Sequence, residues 1–380
     1  MSTSFTPEQT LFRDTVRDFC EREISREFVR RCDETKQPPR DVYEKLGAQG
    51  WLGMNIPEEY DGAGAGAVEV AILLEELGYF FLDLSFWVFR ALTWGGLAVG
   101  RDATEETKRQ LLPKIATGEL AVCFSLTEPD AGSDAASISL SAVEDGDDYV
   151  LNGQKVFTSG FKASDLVVVA TRTSAEGKKH HGITNFVVDT DSDGLTWNAI
   201  DTLGHWPLGT AMLFFEDVRV PKDRMLGQLH EGWADLAVYL RYERLCLSAA
   251  RTGAAKAALA DAISYAKERE QFGRPISKFQ AVSHRLAEMQ MMVEISEMLV
   301  YRYATRLDQG IATTRDAAIL KLYACEAYKE VADMGLQVLG GYGYTMEYDL
   351  QRHFRESRLG TIGAGTSDIQ RNIIAKTMGI

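Results

Sequence analysis

Phe124-Ser-Leu-Thr-Glu-Pro-Asp-Ala-Gly-Ser-Asp134 is a polar, glycine-bearing stretch that directly follows a short apolar run, residues 120–124. Gly132 can take positive φ without steric penalty, which lets a backbone pass close to a ligand. Thr127 and Ser133 bring hydroxyls, and Pro129 stiffens the turn between them. A loop of this make-up can offer several N–H groups to an anion or to the edge of a heterocycle. Taken alone, a Gly-Ser-Asp after a strand reads better as an ordinary surface turn.

Further ordered stretches accompany it: Asn152-Gly-Gln-Lys-Val-Phe-Thr-Ser159, Phe215-Glu-Asp-Val-Arg-Val-Pro221, Glu268-Arg-Glu-Gln-Phe-Gly273 with Phe279-Gln280, Gln337-Val-Leu-Gly-Gly-Tyr-Gly343 and Ile362-Gly-Ala-Gly-Thr-Ser-Asp368. In content and order the series resembles the acyl-CoA dehydrogenase family over almost the whole chain. The resemblance implies an α+β multidomain fold: an N-terminal helical domain, a middle antiparallel β-barrel domain and a C-terminal four-helix bundle.

The residue pattern is consistent with that order. Residues 1–119 read as helices, with Phe12, Val16, Phe19 and Ile24 on one amphipathic face and Thr6-Pro7 as N-cap and first helical residue. Gly62-Ala-Gly-Ala-Gly66 reads as a flexible connection ahead of a helix starting near residue 69. Residues 120–226 carry short β-type runs at 167–171, 186–189 and 212–215, divided by Asp-Gly and Asn-Gly turn signals. From Trp233 onward, within 227–380, long helical patterns return at 276–309 and 315–340.

Composition narrows the function. Of 380 residues 45% are hydrophobic and 25% charged, ordinary for a globular chain too long for one simple core. A net charge of −14 argues against nucleic-acid binding. Five scattered cysteines without a Cys-x-x-Cys pair suggest reduced thiols. The one adjacent histidine pair, His180-His181, lies in a lysine-rich loop that makes a poor metal site. With no targeting peptide or membrane-spanning run in the sequence, the expectation is a cytoplasmic protein.

The resemblance implies FAD as cofactor and α,β-dehydrogenation of an acyl-CoA thioester, with a carboxylate taking the α proton and hydride passing to flavin N5. In many members the base is a glutamate in the late motif, where this chain has Ala364. Glu243, in Tyr242-Glu-Arg-Leu-Cys246, stands where the isovaleryl-CoA and long-chain branches carry theirs. From the pattern alone, Glu243 reads equally as a solvated helix residue; the resemblance favours the base. Ala364 retains its N–H, so polarisation of the thioester oxygen needs no glutamate there.

By the same carry-over, Phe124, Leu126, Thr127, Gly132 and Ser133 meet the flavin ring and substrate edge, and Phe157, Thr158 and Ser159 cover the flavin. Arg269, Gln271, Phe272 and Gln280 reach the FAD of a neighbouring subunit. Gln337, Val338, Gly340, Gly341, Thr366 and Asp368 meet its diphosphate and adenosine portions, although Gly340-Gly341 also reads as a helix C-cap. Ser133, Tyr242, Arg244, Ala364 and Gly365 are the substrate contacts. The shared site implies a homotetramer, a dimer of dimers, and an electron-transfer flavoprotein as electron acceptor.

Tyr79, Phe80, Phe81, Phe86, Trp87, Phe89 and Trp94 fall where the family builds its acyl cavity, and their bulk favours short, branched or ring-bearing acyl groups. Most of these rings also read as core filling. Arg90 in that run reads either as a snorkelling arginine or as a partner for a carboxylate on the acyl tail. Two other readings remain open: a flavin oxidase or monooxygenase on the same fold, and a dehydrogenase of a carrier-protein-bound thioester.

Overall fold

The computed structural model describes residues 5–380. The first helices are α1 (Pro7–Glu23), α2 (Arg26–Thr35), α3 (Arg40–Ala48), α4 (Ala67–Phe80) and α5 (Leu82–Arg90). α5 runs into a π-helix, Ala91–Val99, then a single turn α6 (Gly100–Asp102), before α7 (Glu105–Thr117). The strands are β1 (Val122–Ser125), β2 (Ser141–Asp145), β3 (Asp148–Ser159), β4 (Leu166–Arg172), β5 (Ile183–Asp189), β6 (Leu195–Ile200), β7 (Thr210–Pro221) and β8 (Met225–Leu226). The long α8 (Gly232–Glu268) follows, then a hairpin of β9 (Glu270–Gln271) and β10 (Arg274–Pro275). The chain closes with α9 (Gln280–Asp308), α10 (Thr314–Leu339), α11 (Leu350–Ser357) and α12 (Ser367–Thr377).

Side chains written into the sequence start several helices. Thr6 caps α1 in a capping box: its hydroxyl accepts from the Gln9 N–H at 3.2 Å, and Gln9 returns a bond to the Thr6 N–H at 3.1 Å, with Pro7 at the first helical position. Thr313 and Asp316 repeat the device at α10.

Two compact units emerge, and they cut across the order of the chain. One gathers residues up to Val29, Gly66–Phe86 and Arg244–Ile380; the other gathers Arg30–Ala65 and Trp87–Glu243. The first is helical. Its α4 is apolar almost all round and buried, so its two buried acids are paired: Glu76 with Arg17 at 2.9 Å, and Glu75 with Lys256. Gly78 lets α4 approach α8, since a Cβ there would sit 2.1 Å from the Ala250 carbonyl oxygen.

The second unit is built on the sheet, in strand order β6-β7-β3-β2-β4-β5-β8, with β1 branching from β4. Leu151, Phe186, Leu213, Phe215 and Val218 fill its core. Most pairings are antiparallel as expected, but β1 runs parallel to β4, with Phe124 opposite Val168, and β2 meets β4 in parallel at Ser141–Arg172. β4 is buried through six of its seven residues, which explains why it reads as a continuous apolar run rather than an alternation.

The aromatic run divides between the units. Phe81 and Phe86 are buried in the first, where the Arg251 guanidinium lies 4.8 Å from the Phe86 ring. Trp87, Phe89 and Trp94 are buried in the second, with Trp87 stacked on Tyr43 at 4.1 Å. Core filling therefore accounts for most of these rings. Arg90 does not snorkel: it is 8% exposed, and its guanidinium packs by the Phe89 ring and against Gly160. All five cysteines are buried free thiols. Among the described residues, no helix is long and apolar enough to cross a membrane, and no group of three His, Cys, Asp or Glu is placed to hold a metal ion.

Candidate active site

On the sheet-bearing unit, β1 delivers the opening motif. The half-buried Phe124 ring stacks on Trp94 of the π-helix at 3.6 Å and 6°, and Trp94 meets the edge of Tyr239 at 5.8 Å. A π-turn inside a helix often marks a functional site. Asn55 steadies this one, donating from Nδ2 to the Leu92 carbonyl at 2.8 Å and to the Tyr242 hydroxyl at 3.4 Å.

The loop after β1 is tied to β3. The Val156 N–H donates to the Thr127 carbonyl at 2.9 Å, Lys155 Nζ donates to the Leu126 carbonyl at 2.9 Å, and the hydroxyls of Ser125 and Thr158 lie 2.7 Å apart. Thr158 thus spends its hydroxyl as a strut, and β3 sets it opposite Ala211 of β7. Lys155 is fully buried and also donates to Glu128 Oε1 at 2.7 Å. Glu128 in turn accepts from the N–H and hydroxyl of Ser139 and from the N–H of Leu140. Burial pushes the Lys155 ammonium down to about 8 against the pull of Glu128. Burial alone would raise the Glu128 carboxyl; Lys155 and the backbone donors bring it below its usual value.

β3 is bulged between Lys155 and Thr158, and Phe157 sits there with φ of 59°, its ring 63% exposed. A bulge of this kind re-aims a side chain out of the sheet's regular alternation. Ser159 is half-buried, its hydroxyl 3.5 Å from that of Thr210. Gly132 and Ser133 are exposed. Gly132 does not use left-handed backbone: the reversal is made at 128–131, where Glu128 and Ala131 exchange backbone bonds of 3.2 and 3.1 Å. Nothing lies within 4 Å of a Cβ at Gly132, so the bare backbone is open to a ligand. Lys179 holds the end of the motif through Asp134 at 2.6 Å.

Glu243 is half-buried on α8 and is the last residue of this unit; Arg244, the first of the other, is 7% exposed. The roughly 100° between adjacent helix positions explains how neighbours differ so in burial.

On the helical unit, the β9–β10 hairpin turns through Phe272-Gly273, both with positive φ (52° and 76°), the signature of a type I′ turn. Phe272 at its tip is 93% exposed. Beside the hairpin lies a cavity of about 470 Å³ lined by Arg269, Gln271, Tyr265, Val338, Gly341 and Tyr342 among others. Four of the expected cofactor residues meet there. Gln280, Gln337 and Gly340 are exposed nearby in sequence but do not line it. Gly340, with φ of 59°, caps α10 by donating its N–H to the Gln337 carbonyl. The late motif has Ala364 and Gly365 at positive φ, 54° and 83°. Thr366 caps α12, accepting from the Ile369 N–H at 3.2 Å, and the exposed Asp368 lies 3.5 Å from Arg371.

These features fit FAD. The sheet-bearing unit presents an outward aromatic ring, a hydroxyl and an open glycine backbone. By itself, the helical unit presents a hollow with a guanidinium and with Gly341, at which a Cβ would meet nothing within 4 Å. Sequence reading did not single out Lys155 and Glu128 as a pair, Trp94 as the partner of Phe124, or Asn55; their contacts span 27 to 187 residues, and no spacing announces them.

Fold and site together describe a flavin-dependent oxidoreductase with a helix–sheet–helix order. Sequence models of the acyl-CoA dehydrogenase N-terminal, middle and C-terminal domains match residues 6–119, 123–218 and 230–379. A probable acyl-CoA dehydrogenase of Bacillus subtilis is 36% identical over the full length of both chains. The caffeyl-CoA reductase–Etf complex subunit CarC of Acetobacterium woodii is 34% identical over 98% of each. The solved butyryl-CoA dehydrogenase of Megasphaera elsdenii superposes with a TM-score of 0.95 at 31% identity over the whole of both chains. The chain belongs to the acyl-CoA dehydrogenase family, FAD-dependent enzymes that act on the CH–CH bond of acyl-CoA thioesters.

Proposed function

We propose that this enzyme dehydrogenates short, branched or ring-bearing acyl-CoA thioesters, with Glu243 as the base for the α proton. One observation carries the assignment: the late motif holds Ala364, which cannot accept a proton, whereas Glu243 is a half-buried carboxylate in the α8 segment that resembles the other known position of the base. Glu243 removes the α proton, and the Ala364 N–H donates to the thioester oxygen as negative charge develops there. Bound FAD supplies the hydride acceptor for the β hydrogen. Phe124, Leu126, Thr127, Ser133, Phe157 and Ser159 hold its ring and the substrate edge, while Arg244 and Tyr242 shape the substrate side. The Trp94–Phe124–Tyr239 cluster, with Phe124 half-buried, supports a short acyl site.

Anaerobic titration with butyryl-, isovaleryl-, 3-phenylpropionyl- and palmitoyl-CoA tests this. Bleaching of the flavin band by one or more of the first three, and not by palmitoyl-CoA, is expected. Bleaching by palmitoyl-CoA alone would overturn the acyl preference, and rapid reoxidation of the reduced protein in air would make it an oxidase.

The CarC relationship supports an electron-transfer flavoprotein as acceptor, and the five buried free thiols suit a cytoplasmic setting. Arg269, Gln271 and the fully projecting Phe272 support a homotetramer in which the hairpin completes the FAD site of a neighbouring subunit. Sedimentation should give a tetramer that carries FAD, and Phe272→Ser should lower FAD retention. A monomer that keeps FAD and turnover would remove the shared site.

A further inference from the structure

The late motif is held in a costly shape by two buried side chains that no part of the mechanism above uses. Ala364 sits at φ 54° and Gly365 at φ 83°. Left-handed backbone costs an alanine roughly 1–2 kcal/mol, so something must over-determine it. Lys321 of α10, with no exposed surface, donates from Nζ to the Gly365 carbonyl at 2.7 Å. Gln370 of α12, equally buried, donates from Nε2 to the same carbonyl at 2.9 Å and to the Ala364 carbonyl at 3.2 Å. A Cβ at position 365 would come within 2.8 Å of that nitrogen, so only glycine admits the approach.

Gln370 is tied to this task. Turning its amide over would set its oxygen against two carbonyl oxygens, so the orientation is fixed by its acceptors. Its own Oε1 is then left buried without a partner. Such a group costs about 1–3 kcal/mol, and a native structure retains one chiefly where another demand outweighs it.

Both carbonyls are bound from within, yet the N–H groups of Ala364, Gly365 and Thr366 have no acceptor among the described residues. Three consecutive amide donors are thus left for a ligand. These bonds polarise the peptide groups that carry the N–H of Gly365 and Thr366, and they act on the Ala364 N–H by fixing the left-handed backbone that aims it. The bond from Lys321 is charge-assisted and the stronger.

We propose that Lys321 and Gln370 are positioning residues for the dehydrogenation: by clamping the carbonyls of Ala364 and Gly365 they hold the late-motif N–H groups ready for the thioester oxygen. With no exposed surface of their own, they act through the backbone of the motif. The assignment rests on the acyl-CoA reading above and gives the alanine-bearing motif its working rigidity.

The test uses FAD-loaded Lys321→Met and Gln370→Met, two variants so that poor folding of one leaves the other. Flavin reduction by isovaleryl-CoA is followed anaerobically. Separately, binding of cinnamoyl-CoA is followed by its absorption band, which moves to longer wavelength as its carbonyl is polarised. The limiting rate of reduction should fall by about tenfold or more, with FAD content and half-saturation little changed. The cinnamoyl-CoA red shift should shrink by about half or more, an effect that a purely structural staple would not produce. A rate within about twofold of wild type, a full red shift despite slowed reduction, or loss of FAD from both variants would each overturn the proposal. Glu243→Gln separates the two readings: it should block reduction while keeping the full red shift. A wild-type protein whose flavin no thioester bleaches, and which gives no red shift, would overturn the acyl-CoA reading and this inference with it.

Discussion

Glu243→Gln should give an FAD-loaded, folded protein whose flavin is reduced by acyl-CoA about 10²–10⁴-fold more slowly, or not measurably. Glutamine keeps the shape and hydrogen-bonding reach of the side chain and removes only its ability to take a proton. The side chain is half-buried on α8, next to a tyrosine whose hydroxyl accepts from Asn55, so the substitution disturbs no core packing. Position 364 cannot compensate, because its methyl group carries no base. Stopped-flow mixing without oxygen reads the step directly, and a thermal melt beside it shows that the fold survives. Reduction within about tenfold of wild type would take Glu243 out of the mechanism and restore it to an ordinary helix glutamate.

Lys155→Met should destabilise the protein by about 3–5 kcal/mol, the range for breaking a buried ion pair from one side. The ammonium has no exposed surface, and its loss leaves Glu128, 5% exposed, with an unneutralised charge. The three donors from Ser139 and Leu140 remain and should hold the loss toward the lower end. The Leu126 carbonyl loses its donor as well, and that residue belongs to the opening motif, so FAD should bind more weakly. Adding Glu128→Gln to the variant should recover part of the stability, since the stranded charge goes with it, while FAD affinity should stay low. Urea unfolding and FAD titration check the two effects. A single variant that unfolds and binds FAD like wild type would show that the pair does not brace the loop.

Much of this was legible in the residues. Thr6-Pro7 announced the start of α1, and the three apolar runs proved to be parts of β4, β5 and β7. The ordered motifs gave the family. What stayed hidden was of two kinds. Parallel pairing of β1 with β4 cannot be read from β1, because four residues carry no sign of strand direction. Long-range polar clamps were equally silent: Lys321 reads as one more helix lysine, and nothing near it in the chain says that its acceptor lies 44 residues further on. The bulge that turns Phe157 outward was also unannounced, since bulges arise from the pairing of two strands rather than from either sequence. Arg90 was undecided in the sequence for the opposite reason: its surroundings include Gly160, in the turn after β3, which the helix pattern does not foresee.

The burial of all five cysteines has a consequence for how this enzyme ages. A flavoprotein that leaks electrons to oxygen makes peroxide beside its own chain, and the form of cysteine that peroxide attacks is the thiolate. Burial drives the Cys20 thiol far above its ordinary value and pushes Cys123 up to about 12, so thiolate is scarce at those sites even if oxidant penetrates. Methionine sulfur has no such protection: Met291, Met298, Met346 and Met378 are each more than half exposed. Oxidative wear should therefore accumulate as surface methionine sulfoxide, a lesion that repair enzymes reverse, before it reaches the sulfurs packed inside the fold.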